Sequence, residues 1–200
     1  SHGKSVPSYD WLFKVRDYYQ SYAKTDNLAP VFFDRNTYEG GYQVHNRFTF
    51  DYADSLIYTK TENSNKPYSE DTLKLPQNIY DVISGIYFIR NIDFDQYQVN
   101  DTIPVCMIID NEIFSLYVRF LGREVIKLHN KQKFNTIKFS ALLVEGTIFK
   151  GGEDLFVWVT DDLNRIPVLV EAKILIGSVK ATLLTTENLK FPLESEITDR

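Results

Sequence analysis

Asp161, Asp162 and Arg165 form the most tempting acidic constellation in this chain for acid–base chemistry. Two carboxylates flanking a glycosidic bond divide acid and base roles between them. Adjacent residues on a strand point to opposite faces, however, and Asp161-Asp162-Leu163-Asn164 has the composition of a turn. Turn chemistry is therefore the preferred reading. Its rival is a polysaccharide-active enzyme using Asp161, Glu124 and a nearby Tyr, in which the many Tyr rings also stack on sugars.

Three other charges interrupt or border apolar segments: Arg90, Arg119 and Glu124. Such positions suit the few polar anchors of a mostly apolar pocket. With Tyr87 and Trp158 they make up the expected ligand-binding set. Asp81 and Arg90 also suit the two ends of one helix, where they complement the backbone dipole. If that helix is enclosed, Arg90 needs an acceptor such as Glu124, and a structural ion pair is preferred to a ligand anchor.

Catalytic and metal constellations are not legible. His2 is terminal, His45 lies on the polar parity of a strand and His129 stands alone, whereas zinc needs three or four converging ligands. Cys106 sits inside the apolar run Ile103–Ile109 and reads as a buried thiol. Gly40-Gly41 and Gly151-Gly152 precede no Lys-Ser or Lys-Thr and are turns, not phosphate loops. Neither cofactor nor metal is expected.

The elements that must position these residues are mostly strands. Tyr42, Val44, Phe48, Phe50 and Tyr52 share one parity, and Val31–Tyr38 precedes them across Glu39-Gly40-Gly41 as the partner of a hairpin. A further strand is expected at Leu56–Thr61, then an exposed loop over 62–76. Ile79, Val82, Ile83, Ile86, Tyr87 and Ile89 recur at helical spacing and predict one helix over 79–94, covered on most of its circumference. Gly85 within it implies a close neighbour.

From Ile103 onward the pattern is strand and turn. A hairpin turns at Asp110-Asn111-Glu112, and Gly122 ends or kinks its second arm. Further strands are expected at Phe134–Val144, Leu155–Val159, Ile166–Ile176 and Val179–Leu184, with turns at Gly151-Gly152, Asp161-Asp162 and Gly177. Trp158, Phe156 and Tyr87 are expected in the core. Near the start, one helical turn around Tyr9 leads into a strand from Phe13 to Tyr22, and residues 1–7 are expected to be disordered or an expression remnant. The chain thus reads as one domain over 1–200, mainly β, with antiparallel strands on one helix.

Composition agrees with that class. The 200 residues include 13 Tyr and 14 Phe, types that suit pleated surfaces, against a single Met. Net charge is −5 and no basic stripe exists to neutralise phosphates, so nucleic acid is not an expected partner. The Lys127, Lys131 and Lys133 group reads as a solvated face. One cysteine excludes an intramolecular disulfide, and no run approaches the roughly 18 apolar residues of a membrane span.

Val15-Arg16-Asp17, Ser21-Tyr22, Asn27-Leu28-Ala29-Pro30, Tyr38-Glu39-Gly40-Gly41 and Phe50-Asp51 make a spaced pattern, continued by Asp81–Arg90, Gly122-Arg123-Glu124 and Val157–Val168, with Gly177 and Leu183 at a final hairpin. Together these segments resemble the DUF3108 family of exported bacterial proteins. Lys24 departs from the acidic residue common after Ser-Tyr in these proteins, and a pair of strands that usually precedes Val15 is not seen. The resemblance implies export to the periplasm or outer envelope of a Gram-negative bacterium after signal-peptide cleavage. The strand pattern gives about eight to ten strands, and the resemblance implies that they form a strongly curved antiparallel half-barrel similar to the lipoprotein carriers LolA and LolB. The resulting expectation is a non-catalytic binder of an apolar or amphipathic ligand, such as a lipid, with peripheral envelope association. A purely structural scaffold is the remaining alternative.

Overall fold

The computed structural model describes residues 1–144, 152–173 and 178–198, and its strands form two sheets. The first is antiparallel throughout, in the order β1 (His2–Lys4), β2 (Val15–Ala23), β3 (Pro30–Glu39), β4 (Tyr42–Asp51), β5 (Leu56–Asn63) and β6 (Lys66–Lys74). The second runs from β13 (Ser178–Thr182) through β12 (Pro167–Lys173), β11 (Gly152–Thr160), β10 (Lys133–Leu143), β9 (Glu112–Lys127) and β8 (Thr102–Ile109) to β7 (Ile79–Tyr80). Among the described residues only β7 pairs in parallel, against Cys106 and Met107 of β8. Neither sheet closes into a barrel. Among the described residues one α-helix forms, α1 (Val82–Arg90).

The chain divides into two compact units, the first of residues 1–88 and 105–114, the second of 89–104 and 115 onward. In the first, period-two patterning brings Phe33, Phe48, Phe50 and Ile57 inward, where they bury against Ile79 and Ile108. Phe33 stacks on Phe48 with centroids 5.5 Å apart. The β3–β4 hairpin turns on Gly40 and Gly41, both at positive φ, as a two-residue turn between paired Glu39 and Tyr42 requires. In the second unit Phe94 packs between Phe120 and Phe139, and Leu128, Phe134, Trp158 and Val168 form a further cluster.

Several expectations change in detail. Ile79 and Tyr80 share helical spacing with Val82 and Ile83, yet they pair with β8 as strand, and Asp81 starts the helix only at Val82. The helix ends at Arg90, and Phe94 lies in a separate 3₁₀ turn whose cap, Asp93, accepts the Asp95 amide at 3.2 Å. Ser84 and Gly85 are its buried residues, whereas Ile86 and Tyr87 are exposed, so the helix is not covered on most sides. Tyr87, 50 % exposed, is consequently no core residue. Gly85 does meet a close neighbour: a Cβ there would lie 3.0 Å from Met107 Cε.

Residues 62–76, expected as loop, contain β6. Its side chains are almost all exposed, so backbone pairing with β5 forms this strand without an apolar face. Strand β1 precedes Val15 and pairs Gly3 with Asp17. Gly122 kinks the second hairpin arm, which continues to Lys127. The expected turns at Gly151 and Gly177 lie outside the described residues.

Candidate functional site

Within the second unit, Arg119, Glu124 and Trp158 come together on one face of β9, β10 and β11. Arg119 and Glu124 are five positions apart, an odd spacing that would place them on opposite faces of a regular strand. The register shifts by one residue where Leu121 and Gly122 oppose Lys138, and this bulge restores them to a common face. Gly122 accommodates it at φ +105°.

The charges on this face are consumed by one another. Glu153 accepts both Nε and Nη2 of Arg119, at 2.9 and 2.7 Å, together with the hydroxyls of Ser140 and Tyr117. Those bonds, led by Arg119, hold the Glu153 carboxyl down at about 2. Glu124 accepts the indole N–H of Trp158 at 2.6 Å and pairs with Lys138 at 3.1 Å, and both lower its pKa. The Lys138 ammonium also lies 4.7 Å from the Trp158 ring centroid. Trp158 is 7 % exposed, so its indole serves as core and its N–H needs the Glu124 acceptor.

Arg90 donates to the carbonyls of Asn164 and Arg165, at 2.7 and 2.9 Å, and so clamps the turn after β11. Tyr87 belongs to the first unit. Asp161 pairs with Arg123 at 2.9 Å, whereas neighbouring Glu124 is engaged on the opposite face of β9. The acid–base pair of the enzyme reading is thus not assembled. Asp162 accepts the Thr160 hydroxyl and the Asn164 amide, both at 2.9 Å, which is turn chemistry. Among the described residues no group of three His, Cys, Asp or Glu converges as a metal site.

A pocket that the sequence did not point to lies in the first unit. It measures ≈ 380 Å³ and gathers strand ends: Asn27 and Ala29 before β3, Tyr52 and Ser55 between β4 and β5, then Leu75 to Tyr80. Tyr52 is fixed by donating to the Pro30 carbonyl at 2.9 Å, with the Lys24 ammonium 4.1 Å from its ring centroid. Tyr80 stacks on Phe88 at 4.6 Å. Burial raises both phenols, so they remain neutral donors. Asn78, at φ +55°, turns the chain from Pro76 into β7. Among the described residues no charged side chain lines the pocket. The signal was faint because its walls come from turns, which carry no periodicity.

Behind the pocket, Asp81 is fully buried. It accepts the Ile83 and Ser84 amides at 2.8 and 3.0 Å and the Ser21 hydroxyl at 2.7 Å, capping α1 and tying it to β2. This Ser21–Asp81 contact joins two of the segments that carry the family resemblance, and a family model matches residues 1–184. The chain belongs to the DUF3108 family. That family is described as proteins of unknown function. No curated protein matches the chain, and no solved structure does.

Proposed function

We propose that this member of DUF3108 is a non-catalytic binding protein of the Gram-negative envelope, periplasmic or held at the outer envelope after signal-peptide cleavage. Its ligand is apolar or amphipathic, a lipid or other acylated chain. The observation that carries this reading is the uncharged pocket walled by Tyr52, Tyr80, Leu75 and Pro76. Its ≈ 380 Å³ lies within the range of small-molecule sites, and such sites combine apolar walls with a few polar groups. Asn27, Gln77 and Asn78 supply those groups, and a volume of this size admits one acyl segment or ring system. A curved sheet of the LolA and LolB kind would suit such cargo, and that analogy supports a shape alone.

Native mass spectrometry of protein purified from its own envelope tests the proposal. A co-purifying lipid or acylated molecule is expected, and Ala29→Phe, which fills the pocket, is expected to abolish it while circular dichroism stays unchanged. Folded wild-type protein without bound ligand, or a ligand retained by the variant, would reject the pocket reading. Cell fractionation placing the native protein in the cytoplasm would reject the envelope assignment.

A further inference from the structure

Between β1 and β2 the chain exposes five large apolar side chains, interrupted by Pro7, Ser8 and Asp10. Val6, Tyr9, Trp11, Leu12 and Phe13 are 55, 63, 82, 67 and 50 % exposed. Single exposed hydrophobics are ordinary, whereas five within eight residues form a patch that calls for a function. We propose that the Val6–Phe13 segment is a membrane-surface anchor, whose tip enters the interfacial layer of an anionic bilayer.

The segment is built to hold these side chains outward. Pro7–Tyr9 forms a 3₁₀ turn, and the Tyr9 carbonyl accepts the amides of Leu12 and Phe13 at 3.0 and 3.1 Å. At its base, Ser5 Oγ accepts the Val15 amide at 2.9 Å and donates to Asp10, which is in turn paired with Arg16. Phe13 lies against Gly40, where even a Cβ would come within 2.2 Å of the ring. The loop is therefore ordered by polar contacts at its stem, and the apolar tip is left unsatisfied.

Charge selects the occupant. Residues 4–16 carry Lys4, Lys14 and Arg16 against Asp10, a net +2 in a chain of net −5. Trp and Tyr prefer the headgroup level of a bilayer, and flanking lysines add attraction to anionic lipids. A basic stem bearing a Trp-Leu-Phe tip matches that surface in both respects. The anchor stands at the Val15 end of β2 and the pocket at its Ala23 end, so the two proposals rest on different residues.

The test is co-sedimentation of the full chain with vesicles of equal parts phosphatidylcholine and phosphatidylglycerol, read alongside tryptophan emission. Trp11 and Trp158 are the two tryptophans, one exposed and one buried, so a blue shift on binding reports Trp11. Wild-type protein is expected to bind, and Trp11→Ser with Leu12→Ser to weaken binding at least about tenfold. Lys4→Gln with Lys14→Gln is expected to weaken binding to these vesicles and to leave that to phosphatidylcholine alone unchanged. Retained Trp158 emission and circular dichroism establish that the variants fold. Absence of wild-type binding, or binding indifferent to the Trp11 and Leu12 changes, overturns the proposal. A wild-type dimer that becomes monomeric in the Trp11 and Leu12 variant overturns it as well, by assigning the patch to a second copy.

Discussion

Arg119 of β9 and Glu153 of β11 close on each other across β10, with Nη2 to Oε1 at 2.7 Å and Nε to Oε2 at 2.9 Å. Planar guanidinium and carboxylate meet on two parallel bonds, the stronger geometry for such a pair. Glu153 is thereby moved from 4.5 to about 2. A carboxyl lowered in the fold stabilises it fully above the unfolded value and loses that contribution as pH falls toward the folded one. Urea midpoints of the wild type are expected to decline between pH 4.5 and about 2. Glu153→Gln should be less stable at neutral pH and show a shallower decline, and equal slopes would assign the acid sensitivity elsewhere.

Asp81 has the opposite sign. Burial raises its pKa, against the hydrogen bonds of Ser84, Ser21 and Ile83, so its contribution becomes less favourable as pH rises past 3.8 toward the folded value. Asp81→Asn retains an acceptor for the Ile83 and Ser84 amides without the buried charge. It is expected to lie within about 1 kcal/mol of wild type at pH 7, whereas Asp81→Ala should cost about 1–2 kcal/mol through loss of the cap. Thermal melts of both variants distinguish the roles, and an Asn variant as unstable as the Ala variant would mean the charge itself is required.

Trp158→Ala is expected to cost about 3–5 kcal/mol, the range for removing a buried aromatic ring. Trp158→Phe should recover more than half of that, leaving the loss of the N–H bond to Glu124. Denaturant titration decides between them. A loss below about 1 kcal/mol for the alanine variant would show that the Leu128–Phe134–Val168 cluster does not depend on this ring.

Gly40→Ala is expected to destabilise by roughly 1–3 kcal/mol, because positive φ disfavours a Cβ and the Phe13 ring occupies its place. Phe13→Ala vacates that space. The double variant should therefore be less destabilised than the sum of the two single ones, a coupling that a double-mutant cycle measures directly.

The strands with an apolar parity were legible in the sequence, as was the hairpin turn at Gly40-Gly41, because one face of each is buried. β6 was not, since Lys66–Lys74 is exposed on both faces and exists through backbone pairing that leaves no side-chain pattern. Ile79 was misassigned because a residue ending a strand can share helical spacing with the helix after it. Of the five residues expected as one ligand-binding set, the structure brings Arg119, Glu124 and Trp158 onto one face. Their partners Lys138 and Glu153 were invisible, because cross-strand neighbours depend on register. The pocket depended on three separate stretches of the chain and left no local trace.

The bulge at Gly122 makes β9 a strand whose odd and even positions exchange meaning partway along. Before it, Tyr117 and Arg119 share the face of Ser140, and after it Glu124 and Ile126 share the face of Thr136 and Phe134. Removing the extra residue there would leave Arg119 and Glu124 four positions apart, so a regular strand would still present both on one face, with Glu124 opposite Thr136 and Ile126 opposite Phe134. Loss of one codon at this point would thus disturb the pairing less than loss of one elsewhere in β9, which would exchange the two faces. Homologous chains are best aligned as two blocks that meet at the glycine, with any one-residue gap placed at Leu121 or Gly122.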